Sequence, residues 1–343
     1  MHRVDLRSDT VTRPSPAMRT AMAQAEVGDV EYDDDPTVRL LQERAAEITG
    51  TEAAIYLVTG TMCNQIALHV LTRPGHVVAC AQDAHVAGVE GPTSALLSGL
   101  TFRQVPTEDG VMAPADVESA LEPDPDRGPI VDLIAVENTH QVGGGTPWSL
   151  DDLQAVAKVA RQAELPLYMD GSRIFNASVA TGTPVSAYAA EAHALMFCLS
   201  KGLGAPIGSM LCGPADFIEE ARRTKLLFGI SWRQAGITAA AGIVALDESP
   251  GRLHRDHENA LLLAEGVAMA TPGAVDPARV RTNIVFADPS VVGLTADEAA
   301  ARLADDGVLV NVVGGRVRFV THCDVSAADI PTAIDAWRSV AGD

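Results

Sequence analysis

The chain has 343 residues, of which 47% are hydrophobic, and its formal net charge is −20. This length is sufficient for one large domain with a smaller one attached, and the apolar content can fill a substantial core. The negative charge argues against binding to nucleic acid or to anionic membrane surfaces. Because the N-terminus has no apolar signal segment and no run approaches the length of a membrane span, we expect a cytoplasmic protein.

The five cysteines are scattered along the chain and form no C-x-x-C pair. Cys198 and Cys212 stand in apolar runs, which predicts buried free thiols in a reducing compartment. No cluster of cysteine and histidine has the spacing of zinc ligands, so we predict no metal site. His254 and His257 lie three residues apart on a predicted charged helix, where we expect both to be solvated.

Strand and helix patterns alternate through the first two thirds of the chain. The first clear helix begins at Asp35, an N-cap residue that is followed by proline at the first helical position. Strands are expected at residues 53–58, 76–81, 100–105, 130–136, 165–169, 194–199 and 208–212. Further helical patterns begin near residues 60, 149, 215 and 234. This alternation predicts an α/β fold with a mostly parallel sheet covered by helices on both faces.

The pattern changes after a short polar segment at residues 247–251. The remaining predicted elements are helices at 253–269 and 295–305, strands at 284–286, 308–310 and 316–320, and a last helix from residue 326. Such a mixture is typical of a small α+β domain. We therefore expect a large domain of residues 1–247, which includes the N-terminal segment, and a small C-terminal domain of residues 248–343.

Lysine is rare in this chain, with lysines only at positions 158, 201 and 225 among 25 lysine and arginine residues. Lys158 falls on the polar face of a predicted amphipathic helix, and Lys225 follows two arginines on a charged helix. Lys201 alone leaves a buried strand and enters a glycine-rich turn, where its amine can be partly desolvated and kept unprotonated. Because arginine cannot act as a nucleophilic amine, Lys201 is the candidate for covalent chemistry.

Polar residues follow several of the predicted strands, at the edge where open α/β sheets bind ligands. Gly60 and Thr61 begin a helix, whose first backbone N–H groups and dipole suit a phosphate group. Asp170 ends a strand and can keep a pyridine nitrogen protonated, while His85 can stack on an aromatic ring or move a proton. Together with Lys201, these residues are the parts that a site for pyridoxal 5'-phosphate needs.

The joint pattern resembles the pyridoxal-phosphate enzymes of fold type I and, within them, the low-specificity L-threonine aldolase family. The likeness spans nearly the whole chain, and its most specific segments are the first one and the one around Lys201. The matching segments are 5–12 (DLRSDTVT), 35–38 (DPTV), 59–61 (TGT), 137–140 (ENTH), 170–177 (DGSRIFNA), 199–206 (LSKGLGAP), 233–236 (RQAG) and 317–322 (VRFVTH).

The resemblance implies a large domain that binds pyridoxal 5'-phosphate and a small C-terminal α+β domain. In this interpretation Lys201 binds the cofactor covalently, Asp170 pairs with its pyridine nitrogen and His85 stacks on its ring. The cofactor-binding residues that the resemblance implies are Gly60, Thr61, His85, Asp170, Arg173, Lys201 and Arg233. Arg233 would reach the phosphate of a neighbouring subunit, because the sites of such enzymes form between two subunits. A homo-oligomer is therefore expected. The resemblance favours a dimer of dimers, and the sequence leaves the choice between dimer and tetramer open.

The resemblance also implies a small amino acid as the substrate. Ser8, Arg173 and Arg318 would bind its carboxylate, and His140 would lie near its β-hydroxyl group. The expected reaction cleaves L-threonine, L-allo-threonine or a related β-hydroxy-α-amino acid to glycine and an aldehyde. A base must remove the β-hydroxyl proton, and both His85 and His140 are candidates.

The alternative functions fall into three groups: other reactions of the same cofactor, a non-enzymatic sensor, and enzymes that bind nucleotides. β-Elimination and transfer of a glycyl group to another aldehyde would use the same cofactor and the same residues. A non-enzymatic metabolite sensor is disfavoured, because a sensor does not need the complete set of site residues. A dinucleotide or nucleotide enzyme is not supported, since no G-x-G-x-x-G follows an early strand and no G-x-x-x-x-G-K-[ST] occurs.

The sequence departs from the family pattern at three places. Residues 228–232 (FGISW) replace a glycine-rich run, and a basic pair is reduced to Lys225 followed by Leu226. Asp33 stands where glycine is usual. These positions are expected near the subunit interface and the mouth of the substrate site, so they concern substrate range and not cofactor binding.

Overall fold

The computed structural model describes residues 3–122 and 130–342. Its strands are β1 (Val4–Asp5), β2 (Ala53–Leu57), β3 (Val77–Ala81), β4 (Thr101–Val105), β5 (Val131–Glu137), β6 (Leu167–Asp170), β7 (Ala194–Cys198), β8 (Ser209–Gly213), β9 (Ile284–Ala287), β10 (Val308–Leu309), β11 (Asn311–Val313) and β12 (Arg316–Val320). Its α-helices are α1 (Pro16–Gln24), α2 (Pro36–Thr49), α3 (Gly60–Leu71), α4 (His85–Gly88), α5 (Gly91–Ser98), α6 (Pro114–Leu121), α7 (Leu150–Gln162), α8 (Ile174–Thr181), α9 (Val185–Ala189), α10 (Ala215–Leu227), α11 (Gly236–Glu248), α12 (Leu253–Ala270), α13 (Ala296–Asp305) and α14 (Ile330–Ala341). None of these helices combines the length and the apolar character that a membrane span requires.

A seven-stranded sheet forms the centre of the larger part, in the order β2-β8-β7-β6-β5-β3-β4. β8 is antiparallel to both of its neighbours, and the other strands all run in one direction. Consecutive residues of β5 alternate between two buried apolar clusters, with Ile134 and Val136 in one and Leu133 and Ala135 in the other. The sheet is therefore covered on both faces, and the predicted α/β architecture is confirmed.

The C-terminal part is built on a three-stranded antiparallel sheet in the order β11-β12-β9. Apolar residues of α12, α13 and α14 pack on it in a third buried cluster. Val4 and Leu6 belong to the same cluster, and β1 pairs in parallel with β10. The sequence analysis did not anticipate this pairing, because two-residue strands carry no periodic signal. The N-terminal segment thus connects the C-terminal part to the rest of the fold.

The carboxylate of Asp35 accepts hydrogen bonds from the start of α2, from the start of α11 and from the loop before α2. Its Oδ1 accepts hydrogen bonds from the backbone N–H groups of Thr37 (3.1 Å) and Val38 (2.9 Å) in the first turn of α2. Its Oδ2 accepts from Gly28 N (3.2 Å) and from Gly236 N at the start of α11 (2.9 Å). The predicted N-cap of α2 is confirmed, and the same buried carboxylate also positions α11.

Two ionisable side chains on helices of charged sequence are wholly or partly buried. Lys225 on α10 is buried, and its Nζ lies 2.8 Å from Glu31 Oε1. The expectation that His257 is solvated is wrong. His257 is half-buried, and its Nε2 lies 3.1 Å from Asn176 Nδ2. Burial, together with the neighbouring His254, lowers the pKa of His257 to about 4, so it is neutral at physiological pH. His254 itself is exposed, as expected.

Replacing Asp35 with asparagine should lower the free energy of unfolding by about 2 kcal/mol, because an amide cannot accept all four hydrogen bonds and loses the charge that favours a helix N-terminus. Urea unfolding followed by circular dichroism measures the change. Asp276→Asn is the matched control, since Asp276 is exposed and accepts one backbone N–H, from Ala278 at 3.1 Å. Its loss should stay near 0.5 kcal/mol. Equal losses in the two variants would contradict the double role of Asp35.

Candidate active site

Four neighbouring strands of the central sheet end at the same edge, and each has, at its last residue or shortly after it, a polar residue that the sequence analysis considered. Glu137 is the last residue of β5, and Asp170 is the last residue of β6. Lys201 follows β7, and His85 follows β3 as the first residue of α4. Because these strands are parallel and adjacent, their carboxyl ends bring the four side chains to one region.

The carboxylate of Asp170 is buried and fully hydrogen-bonded. It accepts from Asn64 Nδ2 (2.9 Å), from the backbone N–H of Ser172 (3.1 Å) and from Ser172 Oγ (2.7 Å). Burial raises the pKa of Asp170, but the positive charge of Lys201, followed by His85 and these hydrogen bonds, outweighs burial and lowers the pKa below its ordinary value. Asp170 is therefore an ionised group close to the lysine amine.

Asp9 and Arg173 form a buried ion pair between the N-terminal segment and the turn after β6. Arg173 Nε lies 2.7 Å from Asp9 Oδ2, and Nη2 lies 2.7 Å from Oδ1. Burial raises the pKa of Asp9, whereas the charge and hydrogen bonds of Arg173, together with the charge of Lys201, lower it to about 2. The structure therefore orients Arg173 through Asp9, a residue that the sequence analysis did not single out.

Arg318 is a buried guanidinium that makes no ion pair within the described part of the chain. Its Nη2 donates to the carbonyl of Arg7 (3.2 Å) and its Nη1 to Gln141 Oε1 (3.2 Å), while its buried Nε has no partner. Burial, followed by the nearby charge of Arg173, lowers the pKa of Arg318. An anion bound here would relieve both effects. Ser8, the residue after Arg7, lies on the same segment.

His85 is oriented by a buried glutamate. Its Nδ1 lies 2.8 Å from Glu90 Oε1, and Glu90 also accepts hydrogen bonds from Asn64 (3.1 Å) and Gln65 (2.9 Å). A carboxylate partner requires the proton on Nδ1, so neutral His85 presents an unprotonated Nε2. Burial lowers the pKa of His85, but the hydrogen bond to Glu90 and the charge of Asp170 raise it above its ordinary value.

His140 has the opposite arrangement. Its Nδ1 accepts a hydrogen bond from the backbone N–H of Gly143 (3.0 Å), so the proton of the neutral ring is on Nε2. This Nε2 is buried and has no hydrogen-bond partner among the described residues, with Glu137 Oε2 at 3.8 Å. Gly110 packs directly on the ring, where an added Cβ would overlap Cγ. His140 therefore presents a free N–H donor where His85 presents an acceptor.

The start of α3 offers backbone donors near this region. Thr59 caps the helix by accepting from Met62 N (3.1 Å), and the first N–H groups, those of Gly60 and Thr61, have no acceptor within the helix. A Cβ added to Gly60 would lie 2.8 Å from the Sγ of Cys198, which is a buried free thiol as predicted. Glycine is thus required here for close packing of α3 against β7.

None of the described contacts joins Arg233 to another predicted site residue of its own chain. Its side chain is 56% exposed, and its described contact is with Asp29, whose carboxylate oxygens both lie 3.4 Å from Nη1. Val30 N donates to the carbonyl of Arg233 at 3.1 Å, which attaches this segment to the loop before α2.

Three residues that the sequence analysis did not consider complete the region. Asn64 joins Asp170 to Glu90, and Tyr168 OH holds Asn64 by donating to its Oδ1 at 2.7 Å. Asn64 stands one turn after Gly60 on α3, which is a usable signal, whereas nothing in the sequence distinguishes Glu90 from the many acidic residues of the surface.

The residues present fit pyridoxal phosphate and an amino-acid substrate. They supply an amine, an ionised carboxylate beside it, an unpaired guanidinium and free backbone donors at a helix start. Buried polar atoms without a partner among the described residues also occur here: Asn138 Nδ2, Thr139 Oγ1, His140 Nε2 and Arg318 Nε. Buried polar groups are rarely left unpaired in a finished site, so these atoms are available for a ligand.

Comparison with known proteins shows the family to which the chain belongs. A family model described as beta-eliminating lyase matches residues 5–290. Low-specificity L-threonine aldolase 1 of Arabidopsis thaliana is 39% identical and covers 98% of this chain and 96% of its own length. The low specificity L-threonine aldolase of Escherichia coli K12 is also 39% identical, over 98% of both chains.

A solved structure of Leishmania major threonine aldolase shares the fold, with a TM-score of 0.82 over 99% of this chain and 100% of that one at 18% identity. Fold and site together define the class of fold-type-I pyridoxal-phosphate enzymes. The chain belongs to the beta-eliminating lyase family and, within it, to the low-specificity L-threonine aldolases, which makes it a carbon–carbon lyase.

The contact between Gly110 and His140 can be tested with a second glycine as control. Gly110 and Gly144 have φ angles of 92° and 85°, so an alanine at either position carries a similar backbone strain of about 1 kcal/mol. Gly144 has open space around it, whereas at Gly110 a Cβ overlaps the His140 ring. Gly110→Ala should therefore lose about 2 kcal/mol more unfolding free energy than Gly144→Ala in urea titrations. Equal losses would argue against this contact.

Proposed function

We propose that the protein is a pyridoxal 5'-phosphate-dependent aldolase that cleaves L-threonine, L-allo-threonine or a related β-hydroxy-α-amino acid to glycine and an aldehyde. The observation that carries the proposal is the charge of Lys201 beside the buried carboxylates of Asp170 and Asp9, at an edge that also holds the unpaired guanidinium of Arg318. The names of the relatives in Arabidopsis thaliana and Escherichia coli support the choice of substrate.

In this proposal Lys201 binds the cofactor covalently, Asp170 pairs with its ring nitrogen and His85 stacks on its ring. Gly60 and Thr61, at the N-terminus of α3, bind its phosphate group. The lowered pKa of Asp170 supports its role, because an ionised carboxylate favours a protonated ring nitrogen. When bound, the cofactor supplies a ring that can take up the electron pair left on the α-carbon of the substrate.

The substrate carboxylate is bound by Ser8, Arg173 and Arg318. Arg318 supplies a positive charge that the described part of the protein leaves without an ion pair, and Arg173 is held in one orientation by Asp9. Fixing the carboxylate would orient the substrate, so that one bond at its α-carbon is presented for cleavage. Such orientation contributes to the rate because only an aligned bond can break readily.

The two histidines take different roles because their hydrogen bonds fix opposite ring nitrogens as donors. His85 removes the β-hydroxyl proton with its free Nε2, directly or through one water molecule, since Glu90 holds the other ring nitrogen as a donor. His140 cannot accept a proton on Nε2 in its neutral form, because Gly143 occupies the lone pair of Nδ1. It donates its N–H to the oxygen that becomes the aldehyde oxygen, where negative charge develops.

We further propose a homo-oligomer, a dimer of dimers, with sites that form between subunits. Arg233 is more than half exposed on its own chain, which leaves it free to reach the phosphate of a neighbour. Tyr32 and Leu227, which are 79% and 75% exposed, stand on the segments that adjoin Arg233 and present apolar surface there. If these side chains form one contiguous apolar patch with their neighbours, that patch is a candidate surface for a partner subunit.

A division into a cofactor-binding domain of residues 1–247 and a small domain of residues 248–343 remains part of the proposal, as does a cytoplasmic location. The three-stranded sheet and its own apolar cluster support a separate C-terminal unit. The buried free cysteines at positions 63, 80, 198 and 212 support a reducing compartment.

The central test combines a label and a product analysis. Borohydride reduction of the protein loaded with pyridoxal phosphate, followed by peptide mass spectrometry, should place the cofactor on Lys201. L-Threonine should then yield acetaldehyde and glycine in equal amounts. Lys201→Ala should lose the label and nearly all turnover, whereas Lys158→Ala, at an exposed position on α7, should change neither. A folded Lys201→Ala variant with normal turnover would refute the proposal.

A second function is favoured by the description of the matching family model, beta-eliminating lyase. Elimination would convert threonine to an oxoacid and ammonia, and glycyl transfer would appear as a new amino acid when another aldehyde is supplied. The same product analysis separates the three reactions. If an oxoacid and ammonia are the main products, the protein is a β-eliminating lyase and the proposed aldolase function is wrong.

If His85 is the base, the rate of threonine cleavage should depend on pH in a predictable way. A base must be unprotonated, so kcat/KM on L-threonine should rise with pH through a pKa above 6.5, because Glu90 and Asp170 raise the pKa of His85. His85→Asn should lower kcat by roughly 10²–10⁴-fold and remove this limb of the profile. His140→Asn, which keeps a side-chain N–H donor, should lower kcat less and keep the limb. If only His140→Asn loses the rise of kcat/KM with pH, then His140 is the base and His85 is the N–H donor.

A further inference from the structure

Three side chains from two other segments, the N-terminal segment and the connection between α11 and α12, hold the backbone of the lysine turn, which we define as residues 201–204. Three consecutive carbonyl groups of this turn each accept one hydrogen bond from a side chain outside it. The carbonyl of Lys201 accepts from Thr12 Oγ1 at 3.2 Å, that of Gly202 from Arg252 Nη2, and that of Leu203 from Ser249 Oγ at 2.7 Å. The position of the Lys201 amine therefore depends on contacts from outside its own turn.

Arg252 differs from the two hydroxyl donors because it is charged and is itself held in place. Its Nη1 lies 3.2 and 3.3 Å from the two carboxylate oxygens of Asp256, which stands in the first turn of α12, the helix whose N-cap residue is Arg252. Asp256 is buried, and its backbone carbonyl accepts a hydrogen bond from Thr321 Oγ1 at 2.6 Å. Thr321 directly follows β12, the strand that carries Arg318. A continuous series of contacts thus joins the lysine turn to the strand of the unpaired guanidinium.

The packing at Gly202 leaves little space for the turn to shift. A Cβ added there would lie 3.1 Å from Leu253 Cδ2 and 3.4 Å from Asn176 Oδ1. The turn therefore rests directly on the start of α12, and the Arg252 guanidinium is the charged contact that fixes it there. Side chains that set the geometry of a reacting group in this way affect rate even when they do not touch the reacting atoms.

We propose that Arg252 is a positioning residue for the lysine turn, which it holds at the distance from Arg318 that the cofactor and the substrate carboxylate require. This inference rests on the proposed function. Arg252 acts through the carbonyl of Gly202, so its loss alters the placement of the Lys201 amine and not the contacts that hold Arg318. Turnover is therefore more sensitive to Arg252 than the apparent affinity for substrate is.

The test compares Arg252→Met and Arg252→Lys with Arg255→Met, a control at an exposed arginine three residues later, in the first turn of α12. In Arg252→Met, kcat on L-threonine should fall on the order of 10–100-fold while KM changes less than about threefold. The pH midpoint of the visible absorption band of the lysine-bound cofactor should shift, because the surroundings of the Lys201 amine change. Arg252→Lys should recover part of both effects, and Arg255→Met should behave like the unmodified protein.

A folded Arg252→Met holoprotein with unchanged kcat and an unchanged absorption midpoint would overturn the inference. If Arg252→Met does not fold, Asp256→Asn loosens the same guanidinium with little change in volume, and a folded Asp256→Asn protein without either effect would overturn it equally. A shifted midpoint in a protein that does not cleave threonine would support the inference and refute the proposed substrate. An unmodified protein that forms no lysine-bound band would refute the proposed function and this inference with it.

Discussion

Asp9 and Asp170 are two buried carboxylates, and their negative charge must be balanced by positive charge and hydrogen bonds. The rest of the structure depends on this requirement. Asp9 and Asp170 both have lowered pKa values although burial acts to raise them, so both are ionised inside the protein. Buried charge is tolerated only where opposite charge and hydrogen bonds replace water. Arg173 supplies this compensation at Asp9, Ser172 and Asn64 contribute at Asp170, and the charge of Lys201 acts on both.

The same charge balance explains why the site suits an amino acid. With Asp9 paired to Arg173, the described residues leave the buried guanidinium of Arg318 without a carboxylate. In the proposed function a substrate carboxylate completes this balance. Preorganised charge of this kind stabilises a ligand or a transition state without a cost of reorganisation at the moment of reaction. The carbon–carbon lyase family of the chain is consistent with such a site.

The site is assembled from three parts of the chain that no single element connects. Lys201 and Asp170 come from the central sheet, Asp9 comes from the N-terminal segment, and Arg318 comes from β12. These parts are joined by the pairing of β1 with β10 and by the contacts of Arg252 with Gly202 and Asp256. The N-terminal segment is therefore a structural component of the site, although it contributes only a two-residue strand to the fold.

The sequence by itself determined the features that depend on local pattern. The alternation of apolar strands and helices predicted the sheet, and the dipeptide at Asp35 predicted the helix start. The strand-end positions of Asp170 and Lys201 predicted that these two residues lie at the same edge of the sheet. The tertiary structure alone decided which side chains meet. The pairing of Asp9 with Arg173 joins residues 164 positions apart, and the burial of Lys225 against Glu31 joins residues 194 apart. The proton positions on His85 and His140 likewise follow from their neighbours in space. Local periodicity carries no information about such contacts, because they arise only after distant segments pack together.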